Sequence, residues 1–342
     1  MTTINDLLRH SIFSATDIQR SGYSTFDRRE AELLLAYALD KDRTHIKAHG
    51  RDAVDDRTAK KFLSLAKRRA KHEPIAYLTG SQPFYGRDFS VNKHTLIPRP
   101  ETEMLVELMT NHKRQKTKDV GRTTIGTYDV IVDVGTGSGC LAVTLALECP
   151  SATIIASDVS GDALKVARKN AKRLGADDTF VRESLLGKKL FPVIARNLMT
   201  KQSTADCRAP SDYARNDVGR LGRRTCDVLF VANLPYLPST DKKTMMPDVV
   251  NFEPHKALFA GNDGSSLVVK LLEQIRYSAQ RTFSGAMRRM VQGTADIRYS
   301  IFLEIDPRQT KKLVALARKL FPKRKVAIKQ DLCGRERFLT IT

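Results

Sequence analysis

Val132-Asp133-Val134-Gly135-Thr136-Gly137-Ser138-Gly139 is the end of an apolar strand that runs into a turn with glycine at every second position and then opens onto a helical run at 140–148. Glycine lets backbone come close to a ligand, and the free N–H groups at the start of the following helix favour an anionic or carboxylate end. A dinucleotide fold would continue the spacing as G-x-G-x-x-G. After Gly135 and Gly137 the third glycine falls on position 140, which is Cys140, so the pyrophosphate fingerprint fails.

Outward from this turn the hydrophobic pattern alternates. Strands are expected at 129–134, 152–157, 179–182 and 227–232, with helices at 140–148 and 162–174 between the first three. Such alternation predicts an α/β fold with a mainly parallel, Rossmann-like sheet and helices on both faces. A helix near 265–277, a strand at 299–305, a helix after Pro307 and strands near 326–329 and 337–341 follow, the last pair as an antiparallel hairpin.

Asp158 ends the second strand of the series, where an acidic group can accept both hydroxyls of a ribose. Alone it reads as a charge at a helix start; one strand from the glycine turn it reads as a ligand contact. A ribose acceptor without a pyrophosphate cradle fits S-adenosylmethionine, with its amino-acid end over Gly135–Gly139.

Asn233-Leu234-Pro235-Tyr236 follows the apolar run 228–232, at the carboxyl edge of the expected sheet. Amide and exocyclic amino nitrogens are poor nucleophiles because their lone pairs are delocalised. The Asn233 side-chain oxygen and the Leu234 carbonyl can accept both N–H groups of such a nitrogen, and positioning then replaces basicity. Leu234 precedes proline, which fixes its carbonyl direction, and Tyr236 offers a ring to cover a flat group.

Residues 1–82 read as a small helical bundle, residues 83–95 as a hairpin linker and 96–342 as the catalytic domain. Asp27 with Glu30 has capping-box spacing before an apolar helix that stops at Asp40, and a basic amphipathic helix runs over 56–71. Residues 187–225 are polar, rich in Arg and Asp and longer than ordinary loops, and are expected to be an insertion with little order. A shorter stretch of the same kind lies at 280–297.

A chain of 342 residues can bury a sizeable core, and no apolar run approaches the length of a membrane span. The first segment, 1–13, carries Asp6 in a polar helical pattern and does not read as an export signal. Five scattered cysteines without a CxxC pair fit reduced thiols in the cytoplasm, and seven histidines without an HExxH pattern predict no metal site. The formal net charge of +20 is compatible with weak contact with RNA or the ribosome, although its clusters are spread along the chain as solvated faces would be.

Several longer stretches carry a more specific resemblance: Arg28-Arg29-Glu30-Ala31-Glu32-Leu33-Leu34, Glu73-Pro74-Ile75-Ala76-Tyr77-Leu78-Thr79-Gly80, Leu96-Ile97-Pro98-Arg99-Pro100-Glu101-Thr102-Glu103, the glycine turn, Asn233 to Tyr236, and Phe252-Glu253-Pro254 before Ala257-Leu258. In these the chain resembles the HemK/PrmC family of N5-glutamine methyltransferases, which modify the glutamine of the GGQ motif in class I peptide chain release factors. The resemblance implies that Gly135, Thr136, Gly137, Ser138 and Gly139 surround the methionine part of S-adenosylmethionine. It also implies that Asp158 takes the ribose, that Asn233 and Leu234 hold the substrate amide, with Pro235 and Tyr236 completing the slot, that 98–103 lines the cofactor pocket, and that the helical bundle of residues 1–82 recognises the substrate. Two departures stand out. Leu234 replaces the proline that the family writes there, and Ser184 and Leu185 stand where it carries an acid and an aromatic near the adenine, with Glu183 beside them as a substitute acid. Ribosomal-protein glutamine or nucleic-acid adenine N6 methylation uses a similar site, and the charge also allows a non-catalytic RNA- or ribosome-binding protein.

Overall fold

The structure, a computed structural model, describes residues 2–9, 27–116, 128–203, 225–281 and 296–342. The chain divides into two units: Met1–Gln82 with Val91–Lys93 and Lys243–Glu253, and Pro83–Ser90 with His94–Lys242 and Pro254–Thr342.

In the first unit, α1 (Arg28–Leu39) begins where the Asp27 carboxylate accepts the Glu30 N–H at 2.7 Å and ends at Asp40 in the left-handed conformation. The expected capping box is thus half formed. The Glu30 carboxylate is instead taken by Arg69, at 2.8 and 3.0 Å, because a two-pronged guanidinium pair outcompetes a single backbone N–H. Helices α2 (Arg43–Ala48), α3 (Asp56–Arg69) and α4 (Ile75–Thr79) pack with α1 around Leu34, Leu35, Ile46, Phe62 and Leu78. The expected stripe on α3 is present: Phe62 is buried, with Ala59, Leu63 and Ala66 packed against the same core.

Strands β1 (Ser81–Phe84) and β2 (Arg87–Ser90) pair as a hairpin, and the boundary between the units falls inside β1. Next come α5 (Pro100–Lys116), β3 (Val130–Val134), α6 (Cys140–Glu148), β4 (Thr153–Asp158), α7 (Gly161–Leu174), β5 (Asp178–Arg182), α8 (Leu190–Ser203) and β6 (Thr225–Ala232). The chain closes with α9 (Ser266–Arg281), β7 (Asp296–Glu304), α10 (Thr310–Leu320), β8 (Val326–Gln330) and β9 (Glu336–Ile341). The sheet order is β5-β4-β3-β6-β7-β9-β8, parallel through β7, with β9 antiparallel to both of its neighbours. The α/β reading and the antiparallel closing hairpin hold.

All five residues of β3 are buried, as expected for a strand covered on both faces. One face packs Val130, Val132 and Phe230 with residues of α8, α9 and α10; the other packs Ile131, Leu229 and Val231 with residues of α5, α6 and α7. The first of these cores corrects one expectation. The segment from 187 does not begin as a polar loop: α8 presents Leu190, Ile194 and Leu198, four residues apart on one helical face, and all three are buried in the core. Each contributes about 1.5–3 kcal/mol by burial. The remainder of the expected insertion, 204–224, and most of the 280–297 stretch lie outside the described residues.

No helix among the described residues is long and apolar enough to cross a membrane, and none of their His, Cys, Asp and Glu groupings could hold a metal ion. The direction of chain winding reverses at β3, where β4 lies on one side and β6 on the other. Open α/β sheets bind ligands at the carboxyl ends of the strands flanking such a point.

Candidate active site

Gly135, Gly137 and Gly139 all take positive φ (81°, 56° and 80°), and the turn is pinned to β4 by the Gly135 and Thr136 N–H groups, which donate to the Ser157 carbonyl at 2.8 and 2.9 Å. Residue 135 has a further constraint: a Cβ there would lie 3.0 Å from Leu234 Cδ2. The side chain that replaces the family's proline is therefore buried over the glycine turn. Cys140, at the position of the missing third glycine, has its thiol pushed up to about 12 by burial, which makes it an unreactive neighbour.

Asp158 serves the same turn. Its Oδ2 accepts the Gly137 N–H at 2.9 Å and its Oδ1 the Ser160 N–H at 2.8 Å. Burial raises its carboxyl above the ordinary value, and these N–H groups offset part of that rise. Each oxygen keeps a lone pair for a further donor.

Beneath the turn, Asp133 is the last residue but one of the buried strand β3. Its Oδ2 is buried without a hydrogen-bond partner, and so is the Thr136 hydroxyl. Burial pushes the Asp133 carboxyl up to about 7; the nearby Thr136 hydroxyl opposes this, and the Asp158 and Asp178 charges add to it. Two orphaned buried oxygens beside a glycine turn with open space over Gly137 fit the amino-acid end of S-adenosylmethionine.

On the other side of the switch point, four side chains are joined in series. Asn233 Nδ2 donates to Thr102 Oγ1 at 2.9 Å, Thr102 Oγ1 donates to Glu304 Oε2 at 2.8 Å, and the Tyr236 hydroxyl donates to Glu304 Oε1 at 3.1 Å. Glu304 is the last residue of β7, and Thr102 lies in the first turn of α5. Burial pushes the Glu304 carboxyl up, partly countered by Thr102, the Arg337 charge and Tyr236. The Tyr236 hydroxyl is also raised by burial, with the Glu304 charge acting in the same direction. Tyr236 is held at its backbone too, since its carbonyl accepts from Gln309 Nε2 at 2.8 Å. Gly264 packs so tightly there that a Cβ would meet the Tyr236 carbonyl oxygen at 2.0 Å.

The structure thus brings together the glycine turn, Asp158, Asn233, Leu234 and Tyr236. Ser184 is exposed, Leu185 is buried at φ 52° in the same core as Val134 and Leu234, and no hydrogen bond among the described residues ties either to the turn or to Asn233. The neighbouring Glu183 carboxylate accepts the Ser184 and Lys189 N–H groups at 3.0 and 2.9 Å, so it closes its own loop. The sequence reading does not single out Glu304 or Gln309, although a lone acid in Ile301-Phe302-Leu303-Glu304-Ile305 is the signature of a buried, partnered carboxylate.

Fold and site together define a methyltransferase whose methyl donor is S-adenosylmethionine. The models for the PrmC N-terminal domain and the Methyltransferase small domain match residues 15–80 and 101–197. A release factor glutamine methyltransferase of Staphylococcus aureus is 30% identical over 315 residues, covering 92% of each chain. That of Neisseria gonorrhoeae is 36% identical over 252 residues, covering 74% of this chain and 76% of that one. The chain belongs to the family of release factor glutamine methyltransferases. It spans 41% of the length of a Rickettsia typhi bifunctional methyltransferase to which it is 33% identical. Among solved structures, the N-terminal domain of human METTL16 in complex with SAH aligns at 14% identity over 90% of this chain and 93% of that one, with a TM-score of 0.42, and adds nothing to the fold read above.

Proposed function

We propose that the protein methylates the side-chain amide nitrogen of the glutamine in the GGQ motif of class I release factors, in the cytoplasm. One observation carries the reading. At the exit of β6 the Asn233 side-chain oxygen and the Leu234 carbonyl are both unclaimed by any donor among the described residues, while the other end of the Asn233 carboxamide is anchored. A primary amide has two N–H groups, and two acceptors from consecutive residues suit it. Leu234 is as able as proline to serve this purpose, because the contact is made by backbone.

When bound, S-adenosylmethionine supplies an electrophilic methyl group on a sulfonium. Gly135–Gly139 and Asp133 hold the amino-acid end, Asp158 takes the ribose through its remaining lone pairs, and Ser184 and Leu185 lie toward the adenine. Asn233 and Leu234 orient the glutamine nitrogen with its lone pair toward the methyl group, and the Tyr236 ring covers the amide plane. The nitrogen would give up one proton to solvent as the N–C bond forms and the methyl–sulfur bond breaks, the electron pair staying on sulfur as a neutral thioether, so no strong base is needed; proximity and orientation supply most of the acceleration. The N-terminal helical unit recognises the folded release factor.

The test is methyl incorporation from labelled S-adenosylmethionine into purified release factor, compared with a GGQ Gln→Ala version and with RNA and DNA. Incorporation into the first alone, with mild salt dependence, is expected. Labelling of nucleic acid that falls steeply with salt, with release factor unmodified, overturns the reading in favour of adenine methylation. Labelling of a ribosomal protein glutamine alone transfers the activity to that substrate.

A further inference from the structure

We infer that Glu304 and Thr102 are positioning residues that set the polarity of the Asn233 carboxamide, turning its oxygen toward the substrate amide. The inference deepens the proposed function and rests on it for the identity of that amide.

An asparagine side chain can present either its oxygen or its NH₂ group to a ligand, and the two ends are nearly identical in shape. Only the oxygen can receive a substrate N–H. The choice is made by the series of bonds behind it. As a carboxylate, Glu304 accepts only, so the single Thr102 proton is donated to Oε2. Thr102 is then left with lone pairs, and the group it accepts from must be the NH₂ end of Asn233. The Tyr236 hydroxyl donates to the second carboxylate oxygen. One buried charge therefore orients both the acceptor and the ring at the amide slot. Glu304 and Thr102 are both almost completely excluded from solvent, at 1% and 3% exposure, so water cannot substitute for either partner.

The polarity holds while Glu304 is ionised. The ionisable groups facing it are Tyr236 from the loop after β6, Arg337 from β9, Glu101 from α5 and Cys140 from α6. Arg337 favours the charged form and Glu101 opposes it. Once protonated, Glu304 can donate to Thr102, the series can reverse, and the Asn233 NH₂ group can face the slot.

The experiment compares Thr102→Val, Thr102→Ser and Glu304→Gln in methyl transfer to release factor, with cofactor binding and the melting temperature measured on each. Thr102→Val is expected to lose about 100-fold in kcat, the cost of a reacting group held out of place, with cofactor affinity within about twofold of the parent. Thr102→Ser restores most of the rate. The parent shows an acid limb in kcat that Glu304→Gln lacks, because its side chain no longer titrates. A second readout needs no substrate: in protein labelled with ¹⁵N-asparagine, the Asn233 NH₂ signals, identified by their loss in Asn233→Asp, exchange slowly with solvent in the parent and fast in Thr102→Val. Slow exchange persisting in Thr102→Val, or Ser and Val variants equally impaired at equal melting temperature, overturns the inference. If the parent does not label release factor but the exchange result holds, the substrate assignment fails and the positioning role stands.

Discussion

Asp133 and Glu304 each stand at or near the carboxyl end of a central strand, both are excluded from solvent, and in both burial raises the carboxyl group's pKa, yet their surroundings are opposite. Asp133 keeps an oxygen with no partner beneath a glycine turn. Glu304 has a hydrogen-bond donor on each oxygen. A buried polar atom left unpaired is costly, so under the proposed function the Asp133 side is incomplete without its ligand, whereas the Glu304 side is organised before any substrate arrives. In that proposal the cofactor half is built from backbone and open valence, and the acceptor half from side chains already locked together.

The largest effect that would separate the halves is at Asn233. Asn233→Ala is expected to lower kcat by about 1,000-fold, the scale of losing a preorganised acceptor, while calorimetric affinity for S-adenosylmethionine stays unchanged. Loss of cofactor binding in that variant would erase the division between the halves.

Next comes the unpaired carboxylate. The folded pKa of Asp133, about 7, lies above its ordinary value of 3.8, so its contribution to stability is fully present below the ordinary value and is lost as pH rises toward 7. The ligand-free protein should therefore lose stability between about pH 4 and pH 7, by at most about 4 kcal/mol from this group, and Asp133→Asn should flatten that slope in urea melts. Asp178, raised to about 7 mainly by its own burial, adds to the slope and remains in the variant. An unaltered pH profile in Asp133→Asn would mean that the strand-end carboxylate is already satisfied.

Asp158→Ala should weaken cofactor binding by about 1.5–3 kcal/mol, the worth of hydrogen bonds to a charged group. Because Asp158 also accepts the Gly137 N–H, part of that loss should reappear as a lower melting temperature without ligand. Unchanged affinity would refute the ribose contact.

The smallest effect is at Tyr236→Phe, which keeps the ring and removes one donor from Glu304. It should cost about tenfold in kcat and leave cofactor binding alone. A loss as large as that of Asn233→Ala would place the hydroxyl, and not the ring, at the chemistry.

The same comparison explains what was legible in the sequence. The glycine turn, Asp158 and Asn233 to Tyr236 announce themselves locally, because each is a strand exit whose neighbours in sequence are its neighbours in space. Thr102 lies 131 residues from Asn233 and 202 from Glu304, so nothing in the sequence around any one of them shows that they meet. Helix α8 was obscured differently. Its apolar residues recur at 190, 194 and 198 with clear helical spacing, but averaging them with the charged run to 225 makes the whole stretch look polar. Pro192 did not exclude a helix, since it sits in the first turn, where a missing N–H costs nothing.

The N-terminal unit bears on how such proteins can be taken apart or recombined. The matched PrmC N-terminal domain ends at residue 80, yet the compact unit around it also takes in Val91–Lys93 and Lys243–Glu253, the latter lying seven positions past Tyr236. A gene fragment stopped near 82 would encode a body missing part of itself, and its partner fragment would carry an orphaned stretch immediately downstream of the Asn233 loop. Exchange of the helical module between relatives therefore cannot proceed by a single crossover. Residues 243–253 have to travel with it, so the helical unit and a stretch encoded beyond Tyr236 are exchanged together.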